Sequence, residues 1–242
     1  MNKIDHKISQ KSEIKQLDET VINKIAAGEV VERPASAVKE LIENSIDAGS
    51  TDIFIEVADG GKTLIRVTDD GHGMSEIDLP MALTRHATSK LKNNNLLDIN
   101  SFGFRGEALP SLGAVGRLRI VSHKEGHGAY EITVNGGDFS NTKPAARVLG
   151  TTIELRDLFY ATPARLKFLR SNKSELKAIT DAVKGLSIST PSVGFTLIDK
   201  SAGKSRKLLQ VQKESDDSLK AKKIDSQEYW DKSFQKTLFQ SM

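Results

Sequence analysis

Along the chain the apolar positions change period several times. Val38, Leu41, Ile42 and Ile46 recur at helical intervals behind Pro34, and proline suits a first helical turn because its missing N–H would have no partner there. The spacing predicts a helix from Pro34 to about Asp47, closed by Gly49, preceded by a short one over Thr20 to Ala27 that ends at Gly28. Strand-like runs follow at Ile53–Val57 and Leu64–Val67, joined by Asp59-Gly60-Gly61, which predicts a hairpin. Ser75–Leu83 reads as a short helix, and another helix begins at Glu107. Further strands are predicted at Leu118–Ser122, Ala129–Val134, Thr151–Leu155 and Val193–Asp199, with a long amphipathic helix over Lys173–Ser187.

Residues 1–13 are polar and without period, which predicts a disordered extension. The elements from 14 to 200 form one domain. From Thr84 to Ser101 the chain is polar and non-periodic, and a loop of that length inside a domain is usually functional, often a lid. Beyond Lys200 lysine becomes frequent, Leu208, Leu209 and Val211 suit a strand, and Glu228–Phe239 suits a helix with Trp230, Phe234 and Leu238 on one side. Residues 201–242 are therefore expected to begin a second domain left incomplete at Met242; the alternative is a helical tail packed on the first domain.

Composition narrows the chemistry. In 242 residues, 38% are apolar, enough for a substantial core, and a net charge of +3 is too small to identify a nucleic-acid binder. The absence of cysteine excludes disulfides, thiolate metal sites and a cysteine nucleophile. No apolar run suits a secretion signal or a membrane span, so a soluble, cytoplasmic protein without membrane contact is expected.

Two segments carry the candidate chemistry. Glu40, Asn44 and Asp47 fall along one helix face, where a carboxylate can serve as general base and an amide oxygen can complete a Mg²⁺ shell. The turn Asp69-Asp70-Gly71-His72-Gly73-Met74 leaves the Asp69 carboxylate able to accept from an amino group while glycine lets backbone approach a flat ligand. Taken singly, the first is as readily a solvated helix face and the second an ordinary turn. Gly103-Phe104-Arg105-Gly106-Glu107 before a helix offers free N–H groups to an anion, and Thr88, Ser89 and Lys90 add hydroxyls and a cation. Gly61-Lys62-Thr63 ends like a Walker A loop, but Glu56 stands where its first glycine belongs, and the five histidines show no ligand spacing.

In order, Glu40-x-x-x-Asn44-x-x-Asp47-Ala48, Asp69-x-Gly71-x-Gly73, Gly103-Phe104-Arg105-Gly106-Glu107 and Gly150-Thr151-Thr152 resemble the motifs of the ATPase superfamily of gyrase, Hsp90, histidine kinases and MutL. Ile25 to Pro34, Arg85 to Lys90, Gly103 to Leu109 and Thr162-Pro163-Ala164-Arg165 resemble the MutL mismatch-repair branch. The resemblance covers about Ile14 to Lys200. It implies an α+β fold, a two-layer α/β sandwich of the Bergerat ATPase type, followed by an incomplete second domain of ribosomal S5-like kind. It implies ATP and Mg²⁺ as ligands, Glu40 as general base and Asn44 as the Mg²⁺ ligand. Asp69 would accept from the adenine amino group with Asp47, Gly71, Gly73 and Thr152 beside it. Gly103, Phe104, Arg105, Gly106, Glu107, Thr88, Ser89 and Lys90 would hold the phosphates. It further implies a slowly hydrolysing clamp that dimerises with ATP, binds DNA without regard to sequence, and couples a mismatch-recognition protein of MutS type to downstream repair.

Arg165, Lys167 and Arg170 cluster beside Lys173 and are candidate DNA contacts; a solvated face is the alternative. The family's second domain supplies a lysine to the γ-phosphate, so impaired hydrolysis is expected of this chain. A non-catalytic fragment that binds nucleotide or protein partners is the competing reading. A sensor kinase would need an upstream histidine-bearing helical module, and an Hsp90-type chaperone would not be expected to carry the Thr162–Arg165 string.

Overall fold

The computed structural model describes residues 22, 25, 27, 28, 30–85, 87 and 106–214. Among these, nine strands form one sheet: β1 (Asp52–Ala58), β2 (Leu64–Asp69), β3 (Arg117–His123), β4 (Ala129–Asn135), β5 (Asp138–Phe139), β6 (Lys143–Pro144), β7 (Gly150–Arg156), β8 (Gly194–Asp199) and β9 (Arg206–Val211). The order is β5-β4-β3-β7-β2-β1-β8-β9, with β6 also on β4. Every pair is antiparallel except β1 with β8. The numbered helices are α1 (Pro34–Asp47), α2 (Asp78–Ala82), α3 (Ala108–Val115) and α4 (Asn172–Ser189). The described positions between 22 and 30 are also helical.

Alternation along the strands makes two layers. Ile53, Ile55 and Val57 of β1, Ile65 and Val67 of β2, Ile153 and Leu155 of β7, and Phe195 and Leu197 of β8 turn to one face. There they form one core with Val38, Leu41 and Ile42 of α1, Leu112 and Val115 of α3, and Ile179 and Val183 of α4. The opposite face carries charge: Arg66 lies between Glu56 (2.6 Å) and Glu154, and Lys200 reaches Glu56 at 3.3 Å. The expected sandwich of helices on a mixed sheet is the one observed.

α1 is fixed at its start from far along the chain. Glu175, almost fully buried on α4, accepts from Arg33 Nε at 3.2 Å and Nη2 at 3.0 Å, and from the Arg170 N–H at 3.0 Å. Beyond Lys200 the chain makes another turn and returns as β9, antiparallel to β8, so the same sheet continues through Val211. The predicted helix at Glu228–Phe239 lies outside the described residues. β5 and β6 are two-residue strands, too short to show a period in sequence.

Candidate functional site

Beneath the C-terminal end of α1, three neighbouring strands carry polar residues toward the helices. Asp69 on β2 pairs with Thr151 on β7, and Thr151 pairs with Ser122 on β3; all three are buried. The row behind them is apolar, Val67, Ile153 and Ile120. Ser45, in the buried stripe of α1, completes the group from above, its Oγ 3.1 Å from Asp69 Oδ2. Asp69 Oδ1 accepts the N–H groups of Gly71 at 3.0 Å and Thr151 at 3.2 Å. The Thr151 and Ser122 hydroxyls are 2.8 Å apart, and the Met74 N–H donates to Ser122 Oγ at 2.8 Å.

Two adjacent carboxylates are driven in opposite directions. Burial pushes the Asp69 carboxyl above the usual carboxylate range, against the hydrogen bonds from Gly71, Ser45 and Thr151 and the nearby Arg147 charge. Asp70 feels burial too, but N–H groups of Asp52 and Thr51 and the Thr51 hydroxyl donate to it and hold it below that range. Asp70 is thus spent on tying the turn to the start of β1, while Asp69 faces the polar row.

The glycines of this turn also have a packing duty within the protein. A Cβ on Gly71 would stand 2.8 Å from Ala48 Cβ and 2.7 Å from Ser50 Oγ. Gly73 has φ +68°, and its Cβ would stand 2.1 Å from the His123 carbonyl oxygen. The space a side chain would fill is occupied by protein, so these glycines seat the turn against α1 and β3.

Glu40, Asn44 and Asp47 lie half-buried along α1, on the flank of the stripe that contains Ser45. Gly106 and Glu107 stand at the start of α3, with Glu107 as its N-cap residue. Gly106, at φ +63°, packs its Cα against Ala87, whose carbonyl oxygen would lie 2.4 Å from an added Cβ. That contact brings the described end of the expected lid to the start of α3. Thr88, Ser89, Lys90, Gly103, Phe104 and Arg105 lie outside the described residues.

Thr152 is not part of this row. It pairs with Thr68 on the face away from the helices, 3.2 Å between hydroxyls, and accepts from Arg147 Nη1 at 2.6 Å. Because side chains alternate along a strand, the residue facing Asp69 is Thr151, one position earlier. Arg147, which the sequence did not single out, binds the strand ends from behind, donating through Nη2 to the Asp69 carbonyl oxygen at 2.6 Å and that of Thr151 at 2.9 Å.

Of the three candidate DNA contacts, the structure separates one from the others. Arg165 is half-buried, with Nη1 in the space where a Gly28 Cβ would lie at 1.8 Å and its guanidinium 5.4 Å from the Phe159 ring centre. Lys167 and Arg170 are exposed, as are Lys173 and Phe168. Among the described residues no cluster of three metal-ligating His, Asp or Glu side chains occurs, and no helix is long and apolar enough to cross a membrane.

Residues 31–158 match the family described as histidine kinase-, DNA gyrase B- and HSP90-like ATPases. The chain is 55% identical over 207 residues to the DNA mismatch repair protein MutL of Rhizobium meliloti, and 53% identical over 207 residues to that of Agrobacterium fabrum. Each match covers 85% of this chain but 33% of the relative, so the chain spans about a third of their length. Among solved structures it is similar to the Aquifex aeolicus MutL ATPase domain complexed with ADP, at TM-score 0.63 and 30% identity over 77% of this chain and 66% of that one. It is also similar to the N-terminal domain of a DNA repair protein, at TM-score 0.69 and 26% identity over 80% of this chain and 57% of that one. With its two-layer architecture and its motifs in order on α1, β2, the start of α3 and β7, this chain belongs to the histidine kinase-, DNA gyrase B- and HSP90-like ATPase family, on the side of it occupied by the MutL mismatch repair proteins.

Proposed function

We propose that this chain is the ATP-binding part of a mismatch-repair clamp of the MutL kind, which binds and slowly hydrolyses ATP with Mg²⁺ to couple mismatch recognition to downstream repair. The observation that carries this reading is Asp69: a buried carboxylate whose oxygens accept three donors out of a capacity of about four, at the polar end of an otherwise apolar face. An adenine amino group is a donor of the kind such a site takes. Asp47, Gly71, Gly73 and Thr151 border that position, and the ADP complex of a similar domain supports a nucleotide there.

In this reading Glu40 is the general base toward water, and the Asn44 amide oxygen is the protein ligand of Mg²⁺. The ion supplies neutralisation of phosphate charge. Gly103, Phe104, Arg105, Gly106 and Glu107, with Thr88, Ser89 and Lys90, hold the phosphates. Arg165, Lys167 and Arg170, beside Lys173, form a sequence-independent contact to DNA, the exposed Lys167 and Arg170 more directly than the half-buried Arg165, and the contact weakens steeply with salt. A mismatch-recognition protein of MutS type, an ATP-dependent second copy of the chain and a cytoplasmic setting belong to the same proposal.

Calorimetric titration with ATP and Mg²⁺ tests it. Asp69→Asn should bind roughly ten- to a hundredfold more weakly, within the range set by about 1–3 kcal/mol for an unmet polar group. Glu40→Gln should bind ATP as the parent does while turnover falls by roughly 10²–10⁴-fold. Unchanged affinity in Asp69→Asn defeats the assignment of the base pocket.

A further inference from the structure

The Ser45 hydroxyl has one proton and two acceptors within reach, Asp69 Oδ2 and the Leu41 carbonyl oxygen, each at 3.1 Å. Leu41 O is already the acceptor of the α1 ladder, so it does not need Ser45. An ionised carboxylate is the stronger partner of the two. Asp69 then has a countable inventory. A carboxylate offers about four acceptor positions. Oδ1 takes the Gly71 and Thr151 N–H groups and Oδ2 takes Ser45, which leaves one position on Oδ2.

We propose that Ser45 is a specificity-determining positioning residue: by filling one side of Oδ2 with a donor, it leaves Asp69 a single acceptor that takes the amino group of a 6-aminopurine and repels a 6-oxopurine. The inference rests on the reading that Asp69 meets the base. Ser45 does not touch the base in this arrangement; it acts through Asp69. Two physical effects support the role. With Ser45 donating, the carboxylate cannot turn its second oxygen edge-on to the site, so its open lone pair has one direction. The same hydrogen bond works against burial, which drives the carboxyl toward its protonated form. Once protonated, Asp69 can itself donate, and its O–H can then donate to the carbonyl oxygen of a 6-oxopurine where the ionised form would take an amino group. The charged group that also bears on Asp69 is Arg147, which holds the Asp69 backbone oxygen from the far side of the sheet; it is unaltered by a change at Ser45. Thr151 and Ser122 complete the surroundings from β7 and β3 without charge.

Calorimetric binding of MgATP and MgITP to the 242-residue chain and its variants, between about pH 5 and 8, tests the proposal. The parent should prefer ATP. Ser45→Ala should weaken ATP binding about tenfold and narrow the ATP-to-ITP preference by a similar factor. It should also move the acid-side loss of ATP binding up by about one pH unit. Ser45→Cys, a weaker donor of similar size, should fall between the two; it carries both readouts if circular dichroism shows that Ser45→Ala does not fold. Asp69→Asn separates the two levels of the argument. If Asp69→Asn binds ATP like the parent, the base-recognition reading fails and this inference with it. If Asp69→Asn loses ATP while the Ser45 variants keep the parent's preference and acid limb, Asp69 stands and the role of Ser45 is overturned.

Discussion

Asp69 and Thr151 are partners across the β2–β7 ladder with both side chains turned to the helices, whereas the next pair, Thr68 and Thr152, turns away. Two adjacent threonines therefore have different duties. Thr151 lies in the polar row with Asp69 and Ser122; Thr152 anchors Arg147 on the far face.

Thr151→Val should lower ATP affinity by roughly tenfold, because a hydroxyl beside the base position is replaced by a methyl group. Thr152→Val should leave affinity within about twofold and instead lower stability by about 1 kcal/mol through its lost bond to Arg147. Calorimetry and a thermal melt on both variants would check the assignment, and the reverse ranking would refute it.

Gly73→Ala should cost more than about 2 kcal/mol, since the new Cβ meets backbone and not a movable side chain. Gly126 has nearly the same φ, +76° against +68°, but nothing within 4 Å of an added Cβ. Gly126→Ala should therefore cost only the conformational penalty, about 1 kcal/mol. Urea unfolding of both variants separates crowding from backbone strain.

Asp69→Asn should lose nucleotide yet keep or gain stability. Its Oδ1 can still accept the Gly71 and Thr151 N–H groups, and its Nδ2 can donate to Ser45 Oγ once Ser45 turns its proton to Leu41. Because the folded state holds the Asp69 proton above the usual carboxylate range, native protein binds more protons than unfolded chain in the window just above that range. The stability Asp69 contributes is thus full below that window and lost as pH rises through it. The advantage of Asp69→Asn over the parent should grow across the window and then level off. Unfolding free energies at several pH values would reveal it, and a difference independent of pH would contradict the burial argument.

Glu175→Ala should be among the more damaging changes outside the site, at about 3 kcal/mol, because it strands Arg33 and the Arg170 N–H together. An Arg33→Ala, Glu175→Ala double-mutant cycle should show a coupling above about 1 kcal/mol. Independent, additive effects would mean that the pair does not act as one clamp.

The parts of this fold that were legible in sequence are those governed by local period. The α1 stripe, the β1–β2 hairpin and α4 follow from spacing alone. Asp69 was identified because a turn rich in glycine is a local signal. Thr151 was missed by one residue, and in a strand one residue reverses the face; Asp69, directly opposite on the neighbouring strand, fixes that parity only once the β2–β7 register is known. Ser45 was overlooked because a small residue inside an apolar stripe reads as core. Arg147 was not singled out, since its hold on the Asp69 carbonyl oxygen reaches across 78 residues of chain; Arg165 was named from its cluster of cations, but its place against Gly28 is a long-range contact. The glycines of the turn are a local signal too, but that Gly73 makes room for His123 shows only in the folded chain.

The clamp between Arg33 and Glu175 spans 142 residues of chain. β1 likewise waits for β8 as its parallel neighbour. A chain made from its N-terminus at ordinary speed leaves α1 and the first hairpin without these partners for on the order of ten seconds. In that interval Val38, Leu41 and Ile42 have no α4 to lean on, and one edge of β1 has no strand to pair with. Contacts between distant segments also make closure slow after release. The helix that carries Glu40, Asn44 and Ser45 is thus synthesised well before the segments that secure it, which makes that interval, rather than the finished state, the moment at which these apolar surfaces are most exposed to aggregation.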